Sequence, residues 1–167
     1  MNTWGIRTFG DPCAECRFRW DTDLDTARGL VAEAPVLLAE LLRGATGTER
    51  HPQLSWSTTA YVAHMSDNLR IFAERIAGVA LGGPRSVSAY DEDVLAAVRH
   101  YDAISLAAAV WSFEQSVATW LTALDLAPAD LTFDHSERGA IDLTDVVQGN
   151  AHDVAHHLWD IERSLRH

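Results

Sequence analysis

Two histidines near the C-terminus have a spacing that suits metal binding. His152 and His156 lie four residues apart in the segment 151–165, AHDVAHHLWDIERSL. Residues i and i+4 of an α-helix share one face, so both imidazoles can converge on one ion about 2 Å from each nitrogen. Two ligands alone hold a metal poorly, and a third must come from elsewhere in the chain. The best candidate is His64, in the predicted helical segment 57–80.

The apolar periodicity places these histidines away from the stripes of their helices. At about 100° per residue, His64 lies roughly 110° from the centre of its stripe, and His152 and His156 lie about 140° or more from theirs. These are not ordinary core positions, so the histidines lie either on a solvated face or in a groove at the open edge of the helices. Asn68, one turn after His64, and Trp159, on the side of the other two, make a polar groove with an aromatic wall plausible.

Four long segments carry the three-four alternation of apolar residues that is typical of bundle helices. Ser57 is a good N-cap for the second of them. Together they predict an all-α four-helix bundle, with one bundle domain over 23–167 and an irregular lead-in over 1–22. The four segments are 23–41, 57–80, 105–124 and 142–165.

Three places interrupt this regular pattern. Pro35 removes a backbone donor within the first helix, and is expected either to kink it or to begin a second segment. The connection 85–102 contains a possible short helix over 91–100, and is a natural place for a lid or a crossover. The segment 127–140, with Pro128 and the turn HSERG, is expected to be a loop, and no sheet is predicted.

Composition and charge narrow the class of partner. The 167 residues suit a single domain with its own core. The net charge is −11, and the 13 basic residues are all scattered arginines. This distribution argues against a nucleic-acid backbone or an anionic membrane surface and favours a small-molecule substrate. No apolar run approaches the roughly 18 residues of a membrane span, so a cytoplasmic protein is expected.

Two cysteines stand three positions apart in the lead-in, in the sequence DPCAEC. Cys13 and Cys16 do not resemble the framework of a secreted disulfide protein. A packing role, metal binding and thiol chemistry all stay open. A thioredoxin-like redox motif is expected at a helix N-terminus beside a sheet, and no sheet is predicted here. A structural zinc needs two more ligands, and if the lead-in folds over the histidines, the thiols could reach the metal there. The other histidines available, none at a telling spacing, are His51, His100, His135 and His167.

Two phrases of the sequence resemble a known family. WSTTAYVAHMSD in the second helix and HDVAHHLWDIE in the last are similar to the DinB/YfiT-like four-helix-bundle metalloenzymes, over about 23–166. That resemblance implies a divalent ion, often zinc or nickel, held by one second-helix histidine and a last-helix His-x3-His pair. Carried over by position, the ligands are His64, His152 and His156. The Cys-x2-Cys lead-in departs from the general family pattern, although it looks like the opening of a subgroup.

The resemblance also implies a range of activities. Characterised relatives include S-transferases that use low-molecular-weight thiols such as mycothiol or bacillithiol, and a mycothiol-dependent maleylpyruvate isomerase. A thiol S-transferase is therefore the leading hypothesis, with a metal-dependent hydrolase or isomerase as the first alternative. A non-catalytic metal- or ligand-binding homodimer is the second. Candidates for holding a thiol's carboxylate are Arg70, Arg138 and Arg163.

Several polar neighbours of the predicted ligands have less definite roles. His157 points about 100° away from His156 and is more typical of a surface or substrate-facing group than of a ligand. Asp153 is a candidate acceptor that orients an imidazole. Asp67 and Asp160 are expected to be solvated or capping charges. Neither a phosphate-binding glycine loop nor a serine nucleophile elbow is present in the sequence.

Overall fold

The computed structural model describes residues 3–167, and four long helices dominate it. The predicted all-α four-helix bundle is confirmed. The long helices close into a ring in which α3 packs on α5, α5 on α2, α2 on α6, and α6 on α3. No helix among the described residues is long and apolar enough to cross a membrane. The helices are α1 Trp4–Phe9, α2 Leu24–Leu41, α3 Thr58–Ala80, α4 Glu92–Val98, α5 Leu106–Asp125 and α6 Leu143–Leu165.

Each long helix begins at a side-chain cap. Asp23, Ser57, Ser105 and Asp142 each accept a hydrogen bond from the backbone N–H three residues later. The cap of α6 is reciprocal, because the side chain of Asp145 also accepts from the backbone N–H of Asp142. A cap of this kind stabilises a helix by about 1 kcal/mol. The predicted N-cap at Ser57 is confirmed, and these caps determine where the site-bearing helices α3 and α6 start.

Pro35 lies inside α2, which continues as one helix from Leu24 to Leu41. The alternative in which Pro35 begins a second segment is therefore wrong. The pyrrolidine ring of Pro35 removes one backbone donor. The residues on either side nevertheless keep their positions on the apolar face, with Ala34 and Leu38 buried. Burial of that face keeps the helix together across the missing hydrogen bond.

A small sheet occupies part of the region expected to be a loop. β2 (Thr132–His135) and β3 (Gly139–Asp142) form an antiparallel hairpin, and β1 (Ser86–Val87) pairs with β2 in parallel. The prediction of a loop over 127–140 is wrong at these strands. Strands of two to four residues are too short to show a period-two pattern in the sequence. The hairpin places Arg138 beside the N-terminal part of α6.

The connection between α3 and α5 contains the predicted short helix, α4. Buried Asp67 of α3 ties this connection to the bundle, since its carboxylate accepts from Tyr101 Oη at 2.7 Å and from Arg99 Nη1 at 2.8 Å. Arg70 Nη2 donates to the same carboxylate at 3.1 Å. The expectation that Asp67 is a solvated or capping charge is wrong, because the carboxylate is an anchor for the connection.

The lead-in packs onto the bundle and is partly helical. The expectation of an irregular segment is wrong at α1, and its remainder turns back across α6. Cys13, Phe18 and Trp20 are buried in the same hydrophobic core as the long helices. Trp20 Nε1 donates to the carbonyl of Gly10 at 3.0 Å. A Cβ at Gly5 would lie 2.3–2.5 Å from the Trp20 ring, so only glycine allows α1 to approach that ring so closely.

Candidate metal centre

Helix α6 carries two adjacent pairs of ligand-type side chains. His152 and His156 form one pair, and Asp153 and His157 form the other, each with a spacing of four residues. Successive residues differ by about 100° around a helix, so the two pairs face different neighbours. His152 and His156 lie under the lead-in, whereas Asp153 and His157 face His64 of α3.

The first cluster joins α3 to α6. His64, Asp153 and His157 offer ligand atoms that all lie within 4.8 Å of one another. His64 Nε2 lies 3.3 Å from Asp153 Oδ1, and His157 Nε2 lies 3.7 Å from the same oxygen. These three residues can hold a divalent metal ion.

Behind this cluster, Asp160 orients the imidazole of His157. His157 Nδ1 lies 2.9 Å from Asp160 Oδ2, so Nδ1 is the donor and Nε2 remains directed at the cluster. Metal-binding histidines usually donate their second N–H to a carboxylate in this way, which fixes the tautomer and makes the ligand more basic. Asp160 is buried, so the expectation that it is a solvated or capping charge is wrong.

Burial and charge decide the protonation of the first cluster. Burial by itself would lower the pKa of His64, but attraction and a hydrogen bond to Asp153, together with the charges of Glu92 and Asp67, outweigh burial and raise the pKa. Burial by itself would raise the pKa of Asp153, but the imidazoles of His64, His157 and His152 lower it to about 2. Asp153 is therefore an anion at neutral pH, and a metal cation competes with the proton of His64 for it.

Two atoms of this cluster lack hydrogen-bond partners within the described part of the chain. They are His64 Nδ1 and Asp153 Oδ2, and both are buried. A buried polar atom without a partner costs about 1–3 kcal/mol, and more when the group is charged. A carboxylate with one unpaired buried oxygen, beside two imidazoles, has the donor set that a divalent cation requires.

The second cluster joins the lead-in to α6. Cys13, Cys16, His152 and His156 also offer ligand atoms within 4.8 Å of one another. Cys13 Sγ lies 3.7 Å from His156 Nδ1, and His156 Nε2 lies 3.2 Å from Glu15 Oε2. These four residues can likewise hold a metal ion.

Burial favours the neutral forms of His152, His156 and Cys16 in the second cluster. Burial, followed by repulsion from His156, lowers the pKa of His152 to about 4. Burial also lowers the pKa of His156, and it raises the pKa of the Cys16 thiol to about 12. A redox-active cysteine needs a lowered pKa, so the raised pKa of Cys16 disfavours thiol chemistry at this residue.

The predicted ligand set is divided between these clusters. His64 lies with Asp153 and His157, whereas His152 and His156 lie with the two cysteines, and the three predicted histidines do not form a group of their own within residues 3–167. The reason is the rotation of α6 about its own axis. Asp153 and His157, each one residue after a predicted ligand, face α3 instead. Asp153 does contact an imidazole as expected, while His157, expected to be a non-ligand, lies inside the first cluster.

Two signals in the sequence could have revealed this arrangement. Asp153-x3-His157 has the same helical spacing as the histidine pair, and a carboxylate is an ordinary zinc ligand. The combination of Cys-x2-Cys with His-x3-His is also a typical spacing of zinc sites. Neither signal shows which pair faces α3, because that depends on how α6 packs.

A cavity of about 150 Å³ opens beside both clusters. The Arg138 guanidinium lines it and lies 4.2 Å from the centre of the Trp4 ring. Burial lowers the pKa of Arg138, but a guanidinium stays charged in proteins. The cavity therefore combines an aromatic wall, a cation and the ligand pairs of α6. The other lining residues are Phe9, Trp20, Glu92, Gly149, His152, Asp153, His156 and His157.

The other two arginines proposed as anion ligands are engaged elsewhere. Arg70 pairs with Asp67 and Glu74 on its own helix. Arg163 stacks 4.4 Å from the centre of the Trp159 ring and donates to Gln53. Neither lines the cavity, so Arg138 is the candidate that the structure brings to the site.

Comparison with known proteins gives the fold a context. The sequence matches no family model and no curated protein. The structure is similar to YfiT from Bacillus subtilis, described as a probable metal-dependent hydrolase with an unusual four-helix bundle topology. The two chains are 15% identical, and the match covers 86% of each chain with a TM-score of 0.73. The likeness establishes the YfiT-like fold that the two sequence phrases had indicated.

Proposed function

We propose that this YfiT-like bundle is a metal-dependent enzyme whose divalent ion is held by His64, Asp153 and His157. The observation that carries the proposal is the convergence of both imidazoles on Asp153 Oδ1, at 3.3 and 3.7 Å, with Asp160 orienting His157 from behind. Three protein ligands beside a cavity are the arrangement of catalytic sites, which keep a position open. Zinc and nickel are the leading candidates for the ion.

The bound ion would supply Lewis acidity, which lowers the pKa of a coordinated water or thiol and polarises a carbonyl. The residues of the chain do the rest. Asp160 holds the tautomer of His157, and the Asp153 carboxylate offsets part of the ion's charge. Arg138 binds an anionic group of the substrate and fixes its orientation. The rings of Trp4 and Trp20 exclude bulk water from that end of the cavity.

The size of the cavity favours hydrolysis of a small anionic substrate. Pockets that enclose a drug-sized ligand have volumes of about 300–1,000 Å³, whereas this cavity has about 150 Å³. A water nucleophile and a small substrate are better matched to that volume than a bulky thiol cofactor. The description of YfiT as a probable metal-dependent hydrolase agrees with this choice.

Thiol S-transfer, such as transfer to mycothiol, is the second candidate. The position of Arg138 favours it, because a low-molecular-weight thiol needs a cationic or polar subsite for its carboxylate or sugar. In that reaction the thiol sulfur would attack a carbon of a small electrophile, forming a C–S bond as the bond from that carbon to its leaving group breaks, and the thiol proton would pass to solvent. The two candidates differ in one measurable property, the dependence of turnover on added thiol.

The test is turnover of small carboxylate-bearing esters, amides and alkylating electrophiles by metal-loaded protein, with and without thiol. Hydrolysis predicts turnover without thiol, and S-transfer predicts turnover only with it. His64→Ala and His157→Ala should both abolish turnover and lose one equivalent of bound metal, while the exposed His167→Ala serves as the matched control. If the variants lose metal but the wild type shows no turnover, a non-catalytic binding protein is favoured instead. Retention of the full wild-type metal content in both variants would contradict the proposed site.

A further inference from the structure

Four side chains from opposite ends of the chain meet where the lead-in crosses α6. We propose that Cys13, Cys16, His152 and His156 bind one structural zinc ion. The proposal goes beyond the proposed function and does not depend on it, because the catalytic ion is assigned to a different set of ligands. It also gives the Cys-x2-Cys motif of the lead-in a role.

The distances fit tetrahedral zinc. All four ligand atoms lie within 4.8 Å of one another. Zinc lies about 2.3 Å from a thiolate sulfur and about 2.0–2.1 Å from an imidazole nitrogen, which gives a sulfur–nitrogen edge of about 3.6 Å in a tetrahedron. The distance from Cys13 Sγ to His156 Nδ1 is 3.7 Å. Coordination therefore requires little movement of this pair.

The histidines are prepared for coordination. His156 directs Nε2 at Glu15, 3.2 Å away, which leaves Nδ1 for the ion and supplies the outer carboxylate that metal-binding histidines usually have. His152 is only 5% exposed, and its Nε2 has no hydrogen-bond partner within the described chain. The rings of Phe9, Phe18 and Trp20 surround it, with centroid distances of 4.5–5.6 Å. Coordination would satisfy this otherwise unpaired nitrogen.

The backbone of the lead-in brings the two thiols together. The N–H of Cys13 donates to the carbonyl of Phe18 at 2.7 Å, and the N–H of Arg17 donates to the carbonyl of Cys13 at 3.1 Å. Arg17 has φ of 65°, the left-handed region that only glycine adopts without strain. This tight turn places Cys13 and Cys16 against the histidines of α6.

The donor set identifies both the metal and its role. Two thiolates and two imidazoles select zinc over magnesium, calcium or manganese, which prefer oxygen ligands. Four protein ligands leave no open position, so the ion is structural. Its effect is to fasten the lead-in, and with it the Phe9 and Trp20 walls of the cavity, to α6.

The test combines metal analysis with cobalt substitution of reduced, tag-free protein. Co²⁺ bound by two thiolates and two imidazoles should give an intense thiolate-to-cobalt charge-transfer band and the strong visible bands of a tetrahedral site. Cys16→Ser should lose the charge-transfer band and one equivalent of metal. His64→Ala, the matched control from the other cluster, should keep the band. Circular dichroism checks that each variant is folded.

The outcomes separate the two proposals. Loss of metal in His64→Ala with the band intact would leave the structural site standing whatever the catalytic assays show. A cobalt-loaded wild type without a thiolate band would overturn the zinc proposal, and so would an unchanged band in Cys16→Ser. The wild-type spectrum alone is decisive, so the test does not depend on the folding of any variant.

Discussion

The contact between His157 and Asp160 controls the first cluster at the scale of single residues. The carboxylate accepts from Nδ1 at 2.9 Å, and Nε2 is directed at Asp153, 3.7 Å away. Asp160 also lies 3.9 Å from His156 Nε2, which places one buried carboxylate between the histidines of both clusters. Its charge therefore influences both sets of ligands.

Replacing this carboxylate should weaken metal binding. We expect Asp160→Asn to lower the metal affinity of the first cluster by about 10–100-fold, because loss of such an outer partner has an effect of that size. Competition with a chromophoric chelator measures the affinity. Asp125→Asn, which alters an exposed ion pair with Arg28, is the control and should leave affinity unchanged. Equal affinity in the two variants would mean that Asp160 does not orient a ligand.

Arg138 should act on substrate binding rather than on the chemical step. We expect Arg138→Gln to raise KM for an anionic substrate by about 10–100-fold with a smaller change in kcat, since a charge-assisted hydrogen bond contributes about 1.5–3 kcal/mol. Steady-state kinetics measure both parameters. Arg43→Gln, an exposed residue just after the end of α2, is the matched control. An unaltered KM in Arg138→Gln would exclude the anion-binding role.

At the scale of elements, the β2–β3 hairpin positions Arg138 through His135. His135 Nδ1 accepts from the backbone N–H groups of Glu137 and Arg138 at 3.3 and 3.4 Å. An imidazole can accept only at an unprotonated nitrogen. Burial, followed by repulsion from Arg138, lowers the pKa of His135 to about 4 and keeps it neutral at ordinary pH.

The stability of the protein should reflect this histidine. Between pH 6.5 and 4 the unfolded state binds a proton at His135 that the folded state does not, so the contribution to stability is complete above pH 6.5 and falls with pH. The loss is at most about 3 kcal/mol. Thermal unfolding of wild type and His135→Gln between pH 7 and 4.5 measures it. We expect a shallower pH dependence in the variant, and parallel curves would show that His135 is not responsible.

Metal removal should release the lead-in while the bundle stays folded. The structural zinc is expected to hold the segment over α6, and Arg17 and Arg19 within it are exposed. A chelator should therefore accelerate tryptic cleavage after these arginines, as followed by mass spectrometry, with little change in helical circular dichroism. His64→Ala should not accelerate cleavage. Resistance of the chelated protein would show that aromatic packing alone holds the segment.

At the scale of the whole molecule, the long helices form the frame and the two ends of the chain complete the site. The ring of α2, α3, α5 and α6 buries Trp120, Phe113 and Met65. The lead-in then covers the exposed side of α6 and supplies the rings of Trp4, Phe9 and Trp20 to the cavity. The cavity wall is therefore built from the segment that carries the cysteines.

Association into a homodimer stays a prediction at this scale. Several large apolar side chains are exposed. The bulkiest is Trp111 of α5, which is 64% exposed. If α5 forms the dimer interface, Trp111→Glu should shift the protein to a monomer, because a charge is costly to bury without a partner. Sedimentation velocity over a range of concentrations measures the mass. A wild type that is monomeric throughout would contradict the prediction.

The long helices, the cap at Ser57 and the bundle could be predicted from the sequence because they depend on local patterns. The repeat of apolar residues and the capping side chain of Ser57 act within a few residues. The short strands were not accessible, since the pairing of β1 with β2 joins segments far apart in the chain. The sequence also indicated that α3 and the last helix carry ligand-type side chains, and His64 lies in one of the two clusters that could hold a metal ion.

Only the tertiary structure decided how the ligands are shared. His152-x3-His156 and Asp153-x3-His157 have the same spacing, and sequence periodicity cannot say which pair faces α3. The rotation of α6 in the bundle sends the second pair to His64 and leaves the first pair for the lead-in. Cys13 is 143 residues from His156, so their contact arises from long-range packing. Local patterns determine the elements, while packing determines which side chains meet.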